Sequence, residues 1–210
     1  MVILFTMIKK SMPTYEEAVL FHGHSCPGLA IGYRVSELAL QELVTGRSED
    51  EEIVAIVEND ACGLDGIQFV TGCTIGKGNL IFNDYGKQVY TFVRRDGSDA
   101  VRIVQHPKEV TKELESMQDM TARVFAGTAT QEEKELFASR REDDITFLLT
   151  APLTDIFSYT HITPKIPQKA RIFRSVPCAK CGEMVSESRA RVENGMIVCI
   201  PCFSAYSRGW

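Results

Sequence analysis

Ile53-Val54-Ala55-Ile56-Val57-Glu58-Asn59-Asp60 is the stretch around which the chain organises. Five apolar residues closed by polar turn formers read as a short strand buried on both faces. Downstream, a helix is expected over 62–70 and three short strands over 80–82, 89–93 and 101–104, with Tyr85-Gly86 and Asp96-Gly97 as turn signals. Upstream, Thr14 and Glu17 make a capping box for a helix running toward Phe21. A loop over 22–28 interrupts it, and Ile31, Val35, Leu38 and Leu43 mark a second helix over 29–44. A meander following an αβα beginning predicts an α+β core, a mixed sheet flanked by helices. Two further helices are expected, over 111–125 (apolar at Leu114, Met117, Val124 and Phe125) and from a capping box at Thr130 and Glu133 to Leu149.

The chain then changes character. Pro164, Pro167 and Pro177 mark a linker over 164–177, which leaves a core of 1–163 and a module of 178–210. That module holds Cys178, Cys181, Cys199 and Cys202, two C-x-x-C pairs separated by 17 residues. The spacing fits a closed tetrahedral zinc site, which leaves no position open for chemistry. Rubredoxin-like iron uses similar pairs, but the second pair runs Cys-Ile-Pro-Cys-Phe and lacks the glycine usual after each pair of that class. A treble clef or zinc ribbon is expected: a knuckle at 178–183, a hairpin strand at 196–198 closed by Asn194-Gly195, and a short helix opening at Cys199 and reaching Tyr206.

At 210 residues, 44% hydrophobic and 24% charged, the composition is that of an ordinary globular chain with one sizeable core. Apolar Met1–Met7 is too short to span a membrane and meets Lys9-Lys10 on the wrong side for a signal peptide, so a strand is expected there. No membrane association and a cytoplasmic setting follow, in which seven cysteines read as ligands and thiols and not as disulfides. From Pro167 onward seven Lys/Arg stand against three Asp/Glu, a balance of +4, whereas the preceding chain carries 16 against 25, or −9. A basic finger with an acidic partner in its own chain, and few aromatics among its basic residues, points away from nucleic acid.

A second cluster lies in the core. His22, His24 and Cys26 are spaced by two, so in an extended loop they project to one side as three candidate ligands. Cys62 precedes a helix as Cys26 does, where the macrodipole favours a thiolate, and Asp65 sits one turn beyond it. Cys73 follows in the glycine-rich stretch Gly72-Cys73-Thr74-Ile75-Gly76-Lys77-Gly78. That stretch is one residue short of a P-loop and has Gly78 where Ser or Thr would hold magnesium, which excludes nucleotide hydrolysis; its backbone amides and Lys77 could still hold a small anion. The bland alternatives are a buried cysteine acting as a small hydrophobe, a histidine ending a helix, and Gly28 and Gly32 letting helices approach.

The stretches 21–28, 62–68 and 72–80, in this order, resemble the signatures of the formylmethanofuran dehydrogenase E-subunit family. The resemblance implies an α+β core that forms a homodimer, with a metal-bearing cavity and, often, a C-terminal zinc finger. It makes His22, His24, Cys26 and Cys62 the core ligands of zinc or iron, with Asp65, Cys73 and Lys77 lining the cavity as candidate catalytic groups. The family's named reaction reduces carbon dioxide and attaches the formyl group to methanofuran, on a pterin and iron–sulfur clusters carried by other subunits. This chain lacks the run of cysteines of a ferredoxin, so the resemblance implies an accessory subunit or a stand-alone relative.

Three functions compete: a metal-dependent site or accessory oxidoreductase subunit for a small anionic or carbonyl substrate; a carrier of metal or metallocofactor; and a zinc-finger adaptor for nucleic acid or protein. The third leaves the three core cysteines without a purpose.

Overall fold

The capping box at Thr14 opens α1 (Tyr15–His22): Thr14 Oγ1 accepts the Glu17 N–H at 3.3 Å, and Glu17 Oε2 accepts the Thr14 N–H at 2.8 Å. The computed structural model describes residues 12–107 and 112–208, with side chains described from 116 in the second span. The strand expected at Met1–Met7 and the apolar position Leu114 therefore lie outside the described residues or side chains. The chain divides into two units between Lys169 and Ala170.

In the first unit, Gly23 ends α1 in the left-handed region (φ 95°), and α2 (Pro27–Glu42) follows with Cys26 as its N-cap and Pro27 in its first turn. Strand β1 (Ile53–Val57), α3 (Gly63–Thr71), β2 (Leu80–Phe82), β3 (Val89–Arg94) and β4 (Ala100–Gln105) come next. Then α4 (Lys112–Phe125), α5 (Gln131–Thr150), the single turn α6 (Leu153–Ile156) and β5 (Phe157–His161) complete the unit. The sheet order is β2-β1-β3-β4-β5, with β1 and β2 parallel and every other pair antiparallel. The expected α+β class with a mixed sheet is the observed one.

Its order differs from the expected meander in one respect. β2 does not pair with β3; β1 lies between them, with Ala55 matched to Leu80 on one side and Phe92 on the other. A strand apolar along its whole length belongs inside a sheet, and Ile53, Val54, Ala55 and Val57 are all buried. Edge strand β5 is not among the expected strands: Phe157-Ser158-Tyr159-Thr160 alternates aromatic and hydroxyl residues, but the signal is short and only Phe157 is buried. One face of the sheet, carrying Ala55, Phe92, Val101 and Ile103, joins Val35, Leu38 and Ala39 of α2 and Ile67 and Val70 of α3 in the main core. No helix among the described residues is long and apolar enough to cross a membrane.

The second unit consists of two hairpins, β6 (Ser175–Pro177) with β7 (Met184–Ser186), and β8 (Arg191–Glu193) with β9 (Met196–Val198). Pro177, expected to end the linker, thus lies within a strand. Asn194 (φ 50°) and Gly195 (φ 78°) form the predicted two-residue turn of β8–β9, a geometry that needs both residues left-handed. The helix expected through Tyr206 is reduced to one 3₁₀ turn at Ile200–Cys202. Residues 204–208 are exposed, with no apolar face to bury, and a helix that short does not sustain itself.

Candidate metal centre

Four glycines decide where the core cysteines lie. A Cβ on Gly32 would fall 2.0 Å from the Gly63 carbonyl oxygen, and one on Gly66 would fall 2.8 Å from the Tyr33 nitrogen. Since Cβ atoms do not approach backbone that closely, α2 and α3 cross at this distance only because both are glycine-lined there. The crossing sets the first turns of the two helices side by side, and a Cβ on Gly28 would sit 3.1 Å from that of Cys62. Cys26 at the head of α2 and Cys62 just before α3 are brought together from positions 36 residues apart in sequence.

The third member comes from the end of α1. Phe21 stacks on Phe69 of α3 with ring centroids 5.4 Å apart, which holds the last turn of α1 against α3. His22 then points its Nε2 at Cys26 Sγ, 3.8 Å away, while its Nδ1 lies 2.7 Å from Asp65 Oδ2. One ligand atom each from His22, Cys26 and Cys62 lies within 4.8 Å of the other two. A tetrahedral zinc with bonds of about 2.0 and 2.3 Å sets its nitrogen and sulfur roughly 3.6 Å apart, so the donor set fits such an ion. Three protein ligands leave one coordination position for something else. Asp65 belongs to the arrangement through His22, fixing the tautomer that presents Nε2.

The electrostatics suit the same purpose. Cys26 Sγ accepts the Leu29 N–H at 3.3 Å at the start of a 16-residue helix, where the dipole stabilises negative charge. Burial, followed by the nearby Cys26 sulfur, raises the Cys62 thiol above its ordinary value. Two thiols crowded in this way carry charge together only when a cation lies between them. Around them, Tyr15 bonds Ser25 Oγ at 3.0 Å and donates to the Cys26 carbonyl at 3.4 Å. Asn59 Oδ1 accepts the Ala61 N–H at 3.2 Å in the turn that delivers Cys62.

The family described as "FmdE, Molybdenum formylmethanofuran dehydrogenase operon" matches residues 21–158. The chain belongs to the FmdE family. Residues 171–208 match the prokaryotic dksA/traR C4-type zinc finger. A protein of Archaeoglobus fulgidus described as a probable S-adenosyl-L-methionine-binding protein is 32% identical over 194 residues, covering 89% of this chain and 51% of that protein. The chain therefore spans about half the length of this curated relative. A solved protein of Syntrophus aciditrophicus, described as tungsten formylmethanofuran dehydrogenase FmdE-like, shares the fold, with a TM-score of 0.56 and 24% identity over 90% of this chain and 92% of that one.

Three expected residues of the FmdE core stand outside the ligand cluster. His24 is exposed and rests its ring 4.5 Å from that of His22, outside the three-atom cluster. The loop is a helix–turn–helix corner reversed at Gly23, so the every-second-residue rule of an extended chain does not apply. Cys73 and Lys77 lie past the far end of α3, which separates them from Cys62 by about 13 Å of helix. Cys73 is fully buried, its thiol donates to the Ile53 carbonyl at 3.4 Å, and burial pushes it up to about 11, the reverse of an activated nucleophile. Lys77 Nζ donates to the Ser48 and Glu49 carbonyls, and Asn79 fastens the loop to Asp50 and Ile53. The glycine-rich stretch is a loop fastened to residues 48–53 and does not line the cavity.

The cavity of this FmdE core has a wall that the sequence did not reveal. A space of about 550 Å³ opens beside His24, Cys26 and Cys62, and its far side comes from α4 and α5 with Met117, Phe125, Phe137 and Arg141. Arg141 donates to the Ser25 carbonyl at 3.1 Å, across 116 residues of sequence. The available signal was two adjacent arginines within a helix that carries few apolar residues.

In the finger, all four sulfurs lie within 4.8 Å of one another. Cys181 and Cys199 are 4.0 Å apart, near the roughly 3.8 Å of a tetrahedral four-thiolate zinc. Cys178 and Cys181 sit in the knuckle between β6 and β7, where Gly182 is left-handed (φ 78°) and returns its N–H to the Cys178 carbonyl at 2.9 Å. Ala179 donates to Ile197 at 2.8 Å and ties the two hairpins together. Backbone amides, those of Cys181 and Cys199 foremost, hold the Cys178 thiol down to about 6. This module is a zinc-binding four-cysteine finger.

Proposed function

We propose that the FmdE core is a metal-dependent site for a small carbonyl or carboxylate compound, acting as an accessory oxidoreductase subunit in one-carbon reduction or alone. The observation that carries this reading is the convergence of His22 Nε2, Cys26 Sγ and Cys62 Sγ, two of which line a cavity, with Asp65 behind the imidazole. Zinc or iron bound there supplies Lewis acidity to an oxygen of the ligand. The chain's own groups do the rest. Asp65 orients His22, the Leu29 amide fixes the position of the Cys26 sulfur, and exposed Cys62 faces the entering molecule. A homodimer and association with other enzyme subunits belong to the same proposal and are checked by light scattering and co-purification. S-adenosyl-L-methionine, named in the description of the Archaeoglobus relative, is a ligand to titrate.

Elemental analysis tests the reading. The purified protein is expected to hold two metals per chain, a Cys178→Ser/Cys181→Ser variant one, and a Cys26→Ser/Cys62→Ser variant one. A finger variant without any metal would remove the core site from consideration. The exposure of Cys62 also favours a second reading, in which the core is a carrier that hands its metal on. A core metal that a mild chelator strips while the fold persists, with no turnover detected, would select the carrier.

A further inference from the structure

We propose that the cavity binds an organic carboxylate with an apolar body: the carboxylate on the Arg141 guanidinium, the body against Met117, Phe125 and Phe137. The inference deepens the metal reading, which supplies what the ligand meets at its other end.

The volume of about 550 Å³ falls in the range of small-molecule sites, roughly 300–1,000 Å³. Two rings of its wall pack on each other, Phe125 and Phe137 edge to face at 6.2 Å. Yet Phe125 is 80% exposed, so the wall loses its contact with water only when something apolar enters the mouth.

Charge selects the other end of the ligand. A divalent ion held by two thiolates and a neutral imidazole is close to neutral overall, so the metal position does not by itself attract an anion. Arg141 does. Among the described residues, Arg141 donates to the Ser25 carbonyl, which pins a long side chain and leaves the rest of a rigid fork for a ligand. A fork of that shape matches a carboxylate in bidentate fashion. Arg140 and Asp144 also line the cavity but have interactions of their own, so Arg141 carries the assignment.

The test is calorimetric titration of the zinc-loaded full chain with 4-phenylbutyrate and its neutral isostere, 4-phenylbutyramide. The acid is expected to bind at least about tenfold tighter, in line with a charge-assisted hydrogen bond. Arg141→Gln should abolish that preference, while Phe137→Ala weakens both compounds. Should Arg141→Gln fail to fold, Arg141→Lys, which keeps the charge and loses the fork, is expected to give an intermediate preference. Equal binding of acid and amide, no binding of either, or a preference unchanged by both Arg141 variants overturns the inference. Repeating the titration on Cys26→Ser/Cys62→Ser separates the two proposals. A preference that vanishes there and survives in the Arg141 variants puts the carboxylate on the metal, overturning this inference and leaving the metal reading intact. A wild-type chain that holds no core metal yet keeps an Arg141-dependent preference does the reverse.

Discussion

Asp65 Oδ2 lies 2.7 Å from Nδ1 of His22, so the imidazole turns its Nε2 toward Cys26 and Cys62. The carboxylate reaches the centre through the ring and not as a ligand. The half-exposed side chain of Asp65 backs a histidine whose own side chain is only 10% exposed.

Asp65→Asn is therefore expected to lower the affinity of the core for its metal by about 10- to 100-fold. The finger metal should be unaffected. Competition titration against a chromophoric chelator reads both, and an unchanged core affinity would show that Asp65 does not orient the ring.

Gly32→Ala should destabilise the core by about 1–3 kcal/mol, because its methyl would fall 2.0 Å from the Gly63 oxygen and force α2 off α3. The same displacement should loosen the core metal. Gly76→Ala, with open space around it, is the control and should stay within about 0.5 kcal/mol. Urea midpoints of the two variants decide the matter.

Thiol labelling separates the cysteines of the core. With metal removed, exposed Cys62 should react with N-ethylmaleimide in the folded protein, whereas buried Cys73, at about 11, should react only after denaturation. Early labelling of Cys73, read by peptide mass spectrometry, would reopen the case for it as a reactive group.

His161 on β5 bridges Asp99 (Nδ1, 3.0 Å) and Glu42 (Nε2, 3.1 Å), and the bond to Asp99, then that to Glu42, raises the imidazole above its ordinary 6.5. A raised folded value means that the bridge contributes fully below the unfolded value and is lost as pH rises through the folded one. With the side chain 45% exposed, screening holds the effect to about 0.5 kcal/mol. Stability should thus be slightly greater near about pH 6 than near about pH 8, and His161→Gln should shrink that difference.

Strong chelation should melt the hairpins of the second unit while the core keeps its cooperative transition, since a four-thiolate site provides most of the stability of so small a module. Near-ultraviolet circular dichroism of the full chain with and without chelator reads the core, and amide exchange reads the finger. Simultaneous loss of both units would contradict their division.

The sequence by itself determined whatever is written in local chemistry. The capping boxes at Thr14 and Thr130 place α1 and α5 because hydroxyl and carboxylate satisfy helix-end amides within three residues. The apolar run Ile53–Val57 had to be an interior strand. Four cysteines in two C-x-x-C pairs had to converge, since each pair closes over its own turn.

Tertiary structure alone decided which of the core's polar residues share a site. Gly28 and Gly32 were legible as places where helices approach, but that α3 is the partner, through Gly63 and Gly66, and that the contact joins Cys26 to Cys62, shows only when the two helices touch. The length of α3 carries Cys73 and Lys77 out of reach, although they follow Cys62 closely in the chain. Arg141 meets Ser25 across 116 residues, a pairing that no local pattern encodes. Ligand chemistry depends on side-chain atoms meeting within a few ångströms, and in the core those meetings are set by how helices pack.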